Sequence, residues 1–350
     1  MILRNLFQCK RVLSIFLILG FCSISFVNAG AGAQFLQIFP AVHIAGLGGA
    51  FTAYDGNIES IFWNPSSIMS VGYRMAMFNN ANYFAGVRHA SFAFLQPFEN
   101  NTLGISFIAL LSGEIEETTE IEDEGTGHTF TANDYAFGLT YSRAMTDKFN
   151  AGITIKLLNL NLAKVSATTI SFDFGALYKM KILGNLRIGF AIRNYGPDFR
   201  YKGEGLIGYT KKSDNPFAEE DVKYELVSAS TPLPMSFHLG IASDIYNSGF
   251  SKISLCFDIT NGIDQKENFL FGIEYCISDF LYIDISHSNL KALSCGWRNY
   301  SSLGGNMRGA NWGAGINLGK FFDKIFWFGY SFESHRYLPP VQRYGVKLKF

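Results

Sequence analysis

From residue 71 to its end the chain repeats one pattern: short segments in which apolar and polar residues alternate one for one, divided by turns. A period of two puts successive side chains on opposite faces of a strand, so these segments read as β-strands. Segment 166–180 sets Ile170, Phe172, Phe174, Ala176, Tyr178 and Met180 against Ser171, Asp173, Gly175 and Lys179. Segment 252–260 sets Ile253, Leu255, Phe257 and Ile259 against Lys252, Ser254, Cys256, Asp258 and Thr260. Segment 268–277 sets Phe269, Phe271, Ile273, Tyr275 and Ile277 against Asn268, Gly272, Glu274 and Cys276. A soluble sandwich hides such an apolar face in its core, whereas a membrane barrel turns it toward lipid. Charges of both signs on the polar faces favour the barrel. They suit a wet lumen better than a dry core, where each unpaired charge costs several kcal/mol.

The alternation predicts strands near 71–79, 88–96, 102–112, 134–144, 148–159, 166–180, 185–195, 234–245, 250–261, 267–277, 280–288, 310–319, 323–333 and 341–350, with 292–299 a possible extra one. That is an even number of segments, each near the ~9–11 residues that span a bilayer as a tilted strand. The long links 113–133, 196–233 and 289–309 alternate with short ones such as Pro97–Asn101, Met145–Asp147, Lys181–Gly184 and Ser278–Asp279. Short periplasmic turns and long external loops are the expected asymmetry of an outer-membrane barrel. Glycine (35 residues), Phe (34) and Tyr (17) are abundant, and no stretch after Val27 has 18 consecutive apolar residues. Membrane crossing therefore falls to strands. The expected fold is all-β: a transmembrane antiparallel barrel of about fourteen strands over residues 71–350, behind an N-terminal plug.

The two ends agree with export to an outer membrane. Arg4, Lys10 and Arg11 precede the 16-residue apolar run Val12–Val27, and Val27-Asn28-Ala29 offers a signal-peptidase site, so residues 1–29 read as a signal peptide cut after Ala29. The run is shorter than the roughly 20 residues of a spanning helix. Phe21 stands before Cys22 where lipidation requires a small residue. At the other end Tyr344, Val346, Leu348 and Phe350 alternate with Arg343, Gly345, Lys347 and Lys349. A polar residue, Gly and two spaced apolar residues, here Arg343, Gly345, Leu348 and Phe350, resemble the signal that bacterial outer-membrane barrels present to their assembly machinery. Outer-membrane lipid and lipopolysaccharide are the implied surroundings. Removing the signal peptide leaves 26 basic and 29 acidic residues, a charge of −3 that gives no reason to expect nucleic acid.

No catalytic, cofactor or metal constellation stands out. His238 (expected to face the lumen), His287 (at a strand end) and His335 (in a turn) lie beside no G-x-S-x-G or comparable nucleophile motif, so no enzyme activity is expected. Cys256, Cys276 and Cys295 form neither a disulfide framework nor a Cys-x-x-Cys zinc motif. With the turn centred near Asp264, Cys256 falls opposite Gly272 and Cys276 opposite Lys252. That offset is about 13 Å at ~3.3 Å per residue, beyond the ~7 Å a disulfide can bridge. The glycine cluster at Gly46–Gly49 lacks G-x-G-x-x-G spacing, which excludes a dinucleotide loop.

Residues 30–70 depart from the strand pattern. Ala33-Gln34-Phe35-Leu36-Gln37-Ile38, then Gly46-Leu47-Gly48-Gly49-Ala50-Phe51-Thr52-Ala53, an acidic turn at Asp55 and Trp63-Asn64-Pro65 resemble the PorV/PorQ family of outer-membrane proteins and, more distantly, FadL-type fatty-acid transporters. The resemblance implies a hatch of about 40 residues plugging a barrel of about fourteen strands. Its motif residues here are Gly46, Gly48, Gly49, Trp63, Asn64 and Pro65, and Ser66 stands where the family usually has Ala. Two non-enzymatic roles follow from the resemblance: a channel for small hydrophobic molecules, or a type IX secretion accessory that binds and shuttles proteins bearing C-terminal signals. Loop 113–133 is densely acidic (Glu114, Glu116, Glu117, Glu120, Glu122, Asp123, Glu124) without calcium-loop spacing; it reads as a solvated loop or a divalent-ion bridge to lipopolysaccharide. Loop 196–233 mixes Phe199, Tyr201, Leu206, Ile207, Tyr209, Phe217 and Tyr224 with Lys202, Lys211 and Lys212, and reads as a cap over a pocket, a partner surface or packing on its own barrel.

Overall fold

The period-two alternation becomes pleated sheet. The computed structural model describes residues 30–211, 221–265, 267–278, 280–288, 308–320, 326–335 and 338–350. The signal peptide, Cys295, the extra strand at 292–299 and, within the aromatic loop, Lys212 and Phe217 lie outside the described residues. Among the described residues fourteen antiparallel strands close into a barrel. They are β1 (Met75–Asn82), β2 (Arg88–Pro97), β3 (Asn101–Leu111), β4 (Ala132–Thr146), β5 (Phe149–Leu162), β6 (Val165–Met180), β7 (Leu186–Tyr195), β8 (Ser236–Asn247), β9 (Ser251–Gly262), β10 (Asn268–Ile277), β11 (Leu281–Ser288), β12 (Arg308–Asn317), β13 (Phe326–His335) and β14 (Val341–Lys349). Each strand pairs with its sequence neighbours, and β1 pairs with β14, Met75 opposite Lys349, to close the ring. Closure satisfies every strand edge, which an apolar medium demands.

The apolar faces point outward. Phe78, Phe137, Leu157 and Ile285 are half exposed or more, and the same face continues on every strand from Phe92 to Leu348. Inward parity carries Ser171, Asp173, Ser254, Asp258, Glu274 and Asp284, all buried. The register is the one the sequence implies, with Cys256 opposite Gly272 and Cys276 opposite Lys252. Links 98–100, 147–148, 181–185 and 248–250 gather at one end of the barrel, opposite the long links 112–131 and 196–235. Each long link holds a two-stranded ribbon: Ile115–Glu116 with Thr129–Phe130, and Ile207–Lys211 with Asp221–Glu225.

Two expectations need correction. The first strand begins at Met75 rather than residue 71, because Val71 ends the 3₁₀ turn Pro65–Ser70 by giving its N–H to Ile68 O. The second concerns the inward charges, which are covered by protein instead of facing a wet lumen. Residues 30–71 form short turns and one short helix, α1 (Val42–Gly46), whose side chains from Phe35 to Val71 are largely buried. This segment touches the inward faces of strands all round the ring, for example Pro40 O with Ser91 of β2, Ser66 O with Ser142 of β4, and Thr52 N–H with Asp258 of β9. Gly32 bonds to Pro232 at the long-link end and Ser70 meets Lys179 toward the short-turn end, so the segment runs the length of the interior. Inward glycines admit its backbone: a Cβ on Gly240 would lie 2.9 Å from Ala53 N, and one on Gly272 3.0 Å from Leu47 O.

Candidate functional site

The N-terminal motif residues meet at the interface with the wall. Gly48 and Gly49 take positive φ (61° and 84°), a conformation that side-chain-bearing residues rarely adopt. The turn they build aims the N–H groups of Phe51 and Thr52 at Asp258 Oδ2 of β9, at 3.0 and 2.8 Å. Asn64 caps the following 3₁₀ turn. Its Oδ1 accepts the Ser66 N–H at 3.1 Å and the Ser66 hydroxyl at 2.7 Å, while its amide donates to Thr52 O at 2.7 Å. Ser66 thus makes a contact that alanine lacks. Pro65 opens the turn against the backbone of Gly152 and Gly175. Trp63 is buried beneath the Arg193 guanidinium, 4.2 Å from its ring centre, with Phe39 and His238 against its other sides.

Gly46 ends α1 and brings it against β11 and β12, where an added Cβ would sit 2.8 Å from Asp284 Oδ2. Above it, Glu59 Oε2 accepts the N–H groups of His43 and Ile44 at 2.9 and 3.1 Å, and Glu59 Oε1 pairs with Lys347 of β14 at 2.7 Å. His43 Nε2 lies 2.8 Å from Glu274 Oε2 of β10 and 3.3 Å from Asp284 Oδ1 of β11. The Tyr54 hydroxyl donates to the same Glu274 oxygen at 2.6 Å. Tyr282 stacks on the imidazole at 4.6 Å, and Asn57 contacts its Nδ1 at 2.7 Å. Burial alone would push the His43 imidazole down, but Asp284 and Glu274 outweigh it and raise the ring to about 9. Burial, with Glu274 beside it, also pushes the Tyr54 hydroxyl well above its ordinary value, so it remains a donor.

Asp55 anchors the segment at the short-turn end. Its carboxylate meets Arg187 of β7 at 2.9 Å and Lys179 of β6 at 3.0 Å; Arg187 in turn pairs with Asp244 of β8 at 2.7 Å. Burial would raise the Asp55 carboxyl, yet Arg187 and Lys179 hold it below the usual range. A recess of about 530 Å³ opens at this end, lined by these four residues together with Lys148 and Lys181.

The other sequence-derived candidates are dispersed. His238 faces inward against Trp63 as expected, His287 sits near the end of β11, and His335 ends β13 instead of lying in a turn. Of the C-terminal residues, Arg343 is fully buried beside Glu333 (3.5 Å) and Tyr83 (3.4 Å). Gly345 faces Asn79 and Val42 of α1, while Leu348 and Phe350 point outward. In the long links, Glu116 pairs opposite Thr129 in a ribbon with exposed flanks. Phe199 and Leu233 are buried against the chain near Gly32, whereas Tyr209 and Tyr224 are exposed. The sequence reading passed over His43, Glu59 and Asp284. Their signal was present: His43 and Glu59 are ionisable residues inside an otherwise apolar stretch, and Asp258, Glu274 and Asp284 share inward parity on three consecutive strands.

No family model and no curated protein matches the chain. Solved structures do. CymD, a monoaromatic hydrocarbon channel, superposes with TM-score 0.58 at 10% identity, covering 90% of this chain and 98% of its own. A Pseudomonas aeruginosa FadL homologue gives 0.55 at 10% identity over 89% and 98%. The P. putida toluene transporter TodX gives 0.51 at 11% identity over 90% and 98%. At such identities the likeness establishes architecture alone: this chain, a closed barrel of fourteen strands among its described residues, shares the fold of these three proteins.

Proposed function

We propose that the chain is an outer-membrane channel for small hydrophobic molecules, exported through a signal peptide cut after Ala29, with residues 30–70 serving as its hatch. The observation that carries this reading is the inversion of the barrel: an apolar exterior encloses charged walls, several of whose partners come from one N-terminal segment. The hydrocarbon channels and toluene transporter that share the fold support the class of cargo. Because the segment fills the interior, passage requires it to shift. Deleting Gly30 to Ser70 should raise ion conductance in planar bilayers while the barrel still assembles, and unchanged conductance would sink the hatch. Cells carrying the intact barrel should take up toluene faster than cells without it; equal uptake would reject the transport role.

The PorV/PorQ-like motifs support a second reading, a type IX secretion accessory that binds exported proteins. They include Gly48, Gly49 and Asn64, which shape the N-terminal segment where it meets the wall. Specific capture of a purified C-terminal signal domain by the detergent-solubilised barrel, with no toluene uptake, would favour it over the channel.

A further inference from the structure

We propose that His43 of the hatch and Glu274 and Asp284 of the wall form a binding site for a divalent transition-metal ion, with zinc as its probe. The three donor atoms come from three elements, α1, β10 and β11, and all lie within 4.8 Å of one another, fully buried. Geometry separates this cluster from an ordinary ion pair. Glu274 Oε2 and Asp284 Oδ1 lie 2.8 and 3.3 Å from His43 Nε2, so a single ring nitrogen is shared between two buried carboxylates. A tetrahedral ion with bonds of ~2.0–2.2 Å to nitrogen and oxygen sets neighbouring donors roughly 3.3–3.6 Å apart, so loading needs only a small retreat of the Glu274 oxygen from its 2.8 Å contact with His43.

Asp284 supplies the second observation. It is fully buried, and the His43 ring nitrogen, 3.3 Å from Oδ1, is shared with Glu274. A buried carboxylate is costly unless a cation sits against it; the charged His43 ring fills that role until a metal displaces its proton. Lys252 does not fill the role, since its ammonium lies 3.5 Å from Glu274 Oε1, the oxygen not turned to His43. Two carboxylates and one neutral imidazole balance a dication, and mixed nitrogen and oxygen donors suit zinc and its neighbours better than calcium. Gly46 permits the approach of α1 that brings the donors together. The Tyr54 hydroxyl, on Glu274 Oε2, orients that ligand. Loading makes one demand of the surroundings. A metal on Nε2 leaves the proton on Nδ1, so the Asn57 amide must turn its oxygen toward the ring and give up that oxygen's contacts with the Glu59 N–H and Lys347.

The test refolds the full barrel in detergent with zinc, desalts it and measures zinc per chain. Wild type should retain one ion, and Asp284→Asn and His43→Gln almost none. Asn57→Asp offers the ring an acceptor while keeping one for Glu59 and Lys347, and should tighten zinc binding about tenfold. Shifted mobility of unboiled samples in SDS identifies which variants have folded. A wild-type barrel that retains no zinc overturns the proposal, as does zinc retained equally by both ligand variants, which would place it elsewhere, for instance on the acidic 112–131 loop. If the ligand variants fail to fold, Asn57→Asp decides: unchanged affinity rejects the site.

Discussion

Asp55 ties the N-terminal segment to two strands of the wall at once. It meets two cations of the wall and closes the inner end of the charged recess. Asp55→Asn should weaken hatch docking by about 2–3 kcal/mol, less than a fully buried pair because Lys179 is one-third exposed, and raise conductance in bilayers. The pH dependence has a defined sign. With its folded-state carboxyl below the usual range, Asp55 contributes docking energy above about pH 4, and that contribution fades as the pH falls through the folded value. Conductance should therefore rise on acidification in the wild type, with a smaller rise in Asp55→Asn; equal responses would remove Asp55 from the latch. Ser66 makes a smaller claim. Because Asn64 Oδ1 also holds the Ser66 N–H, Ser66→Ala should cost only about 1 kcal/mol in thermal unfolding. The sequence identified Asn64 and Ser66 by motif alone, while their contacts depended on where the turn landed against Thr52 and Ala176.

At the scale of elements, the strands were legible and the interior was not. Alternation is a local signal, and residues such as Phe172 and Asp173 declare their faces without knowledge of any partner. Even register was accessible between β9 and β10, because a short turn leaves little freedom. The N-terminal segment is held by contacts such as Glu59 with Lys347, far apart in the sequence. No local periodicity encodes such a pairing. The register carries its own prediction. Lys252 faces Cys276 directly, so Lys252→Cys should form a disulfide with Cys276 on mild oxidation once Cys295 is replaced by Ser. The parent protein should not join Cys256 to Cys276. Failure of the new pair to cross-link in a folded barrel would show that the two strands are displaced.

For the whole molecule, closure through β1 and β14 makes stability cooperative around the ring. Unboiled samples in SDS should run apart from boiled ones, and identical mobility would contradict a closed barrel. Phe350 caps the outward face of β14, its N–H bonded to Arg74 O next to the seam. Phe350→Ser should lower the yield of heat-modifiable protein, and full yield would free that ring from any part in insertion. The path of residues 30–71 also bears on the order of events. These residues precede β1, yet they run inside a wall whose last seam joins β1 to β14. Such a thread can be in place before the needle's eye shuts or be drawn through afterwards by its free end. A folded domain fused ahead of Gly30 would be a knot in the thread: it would bar the second route and leave only a ring that closes around the segment.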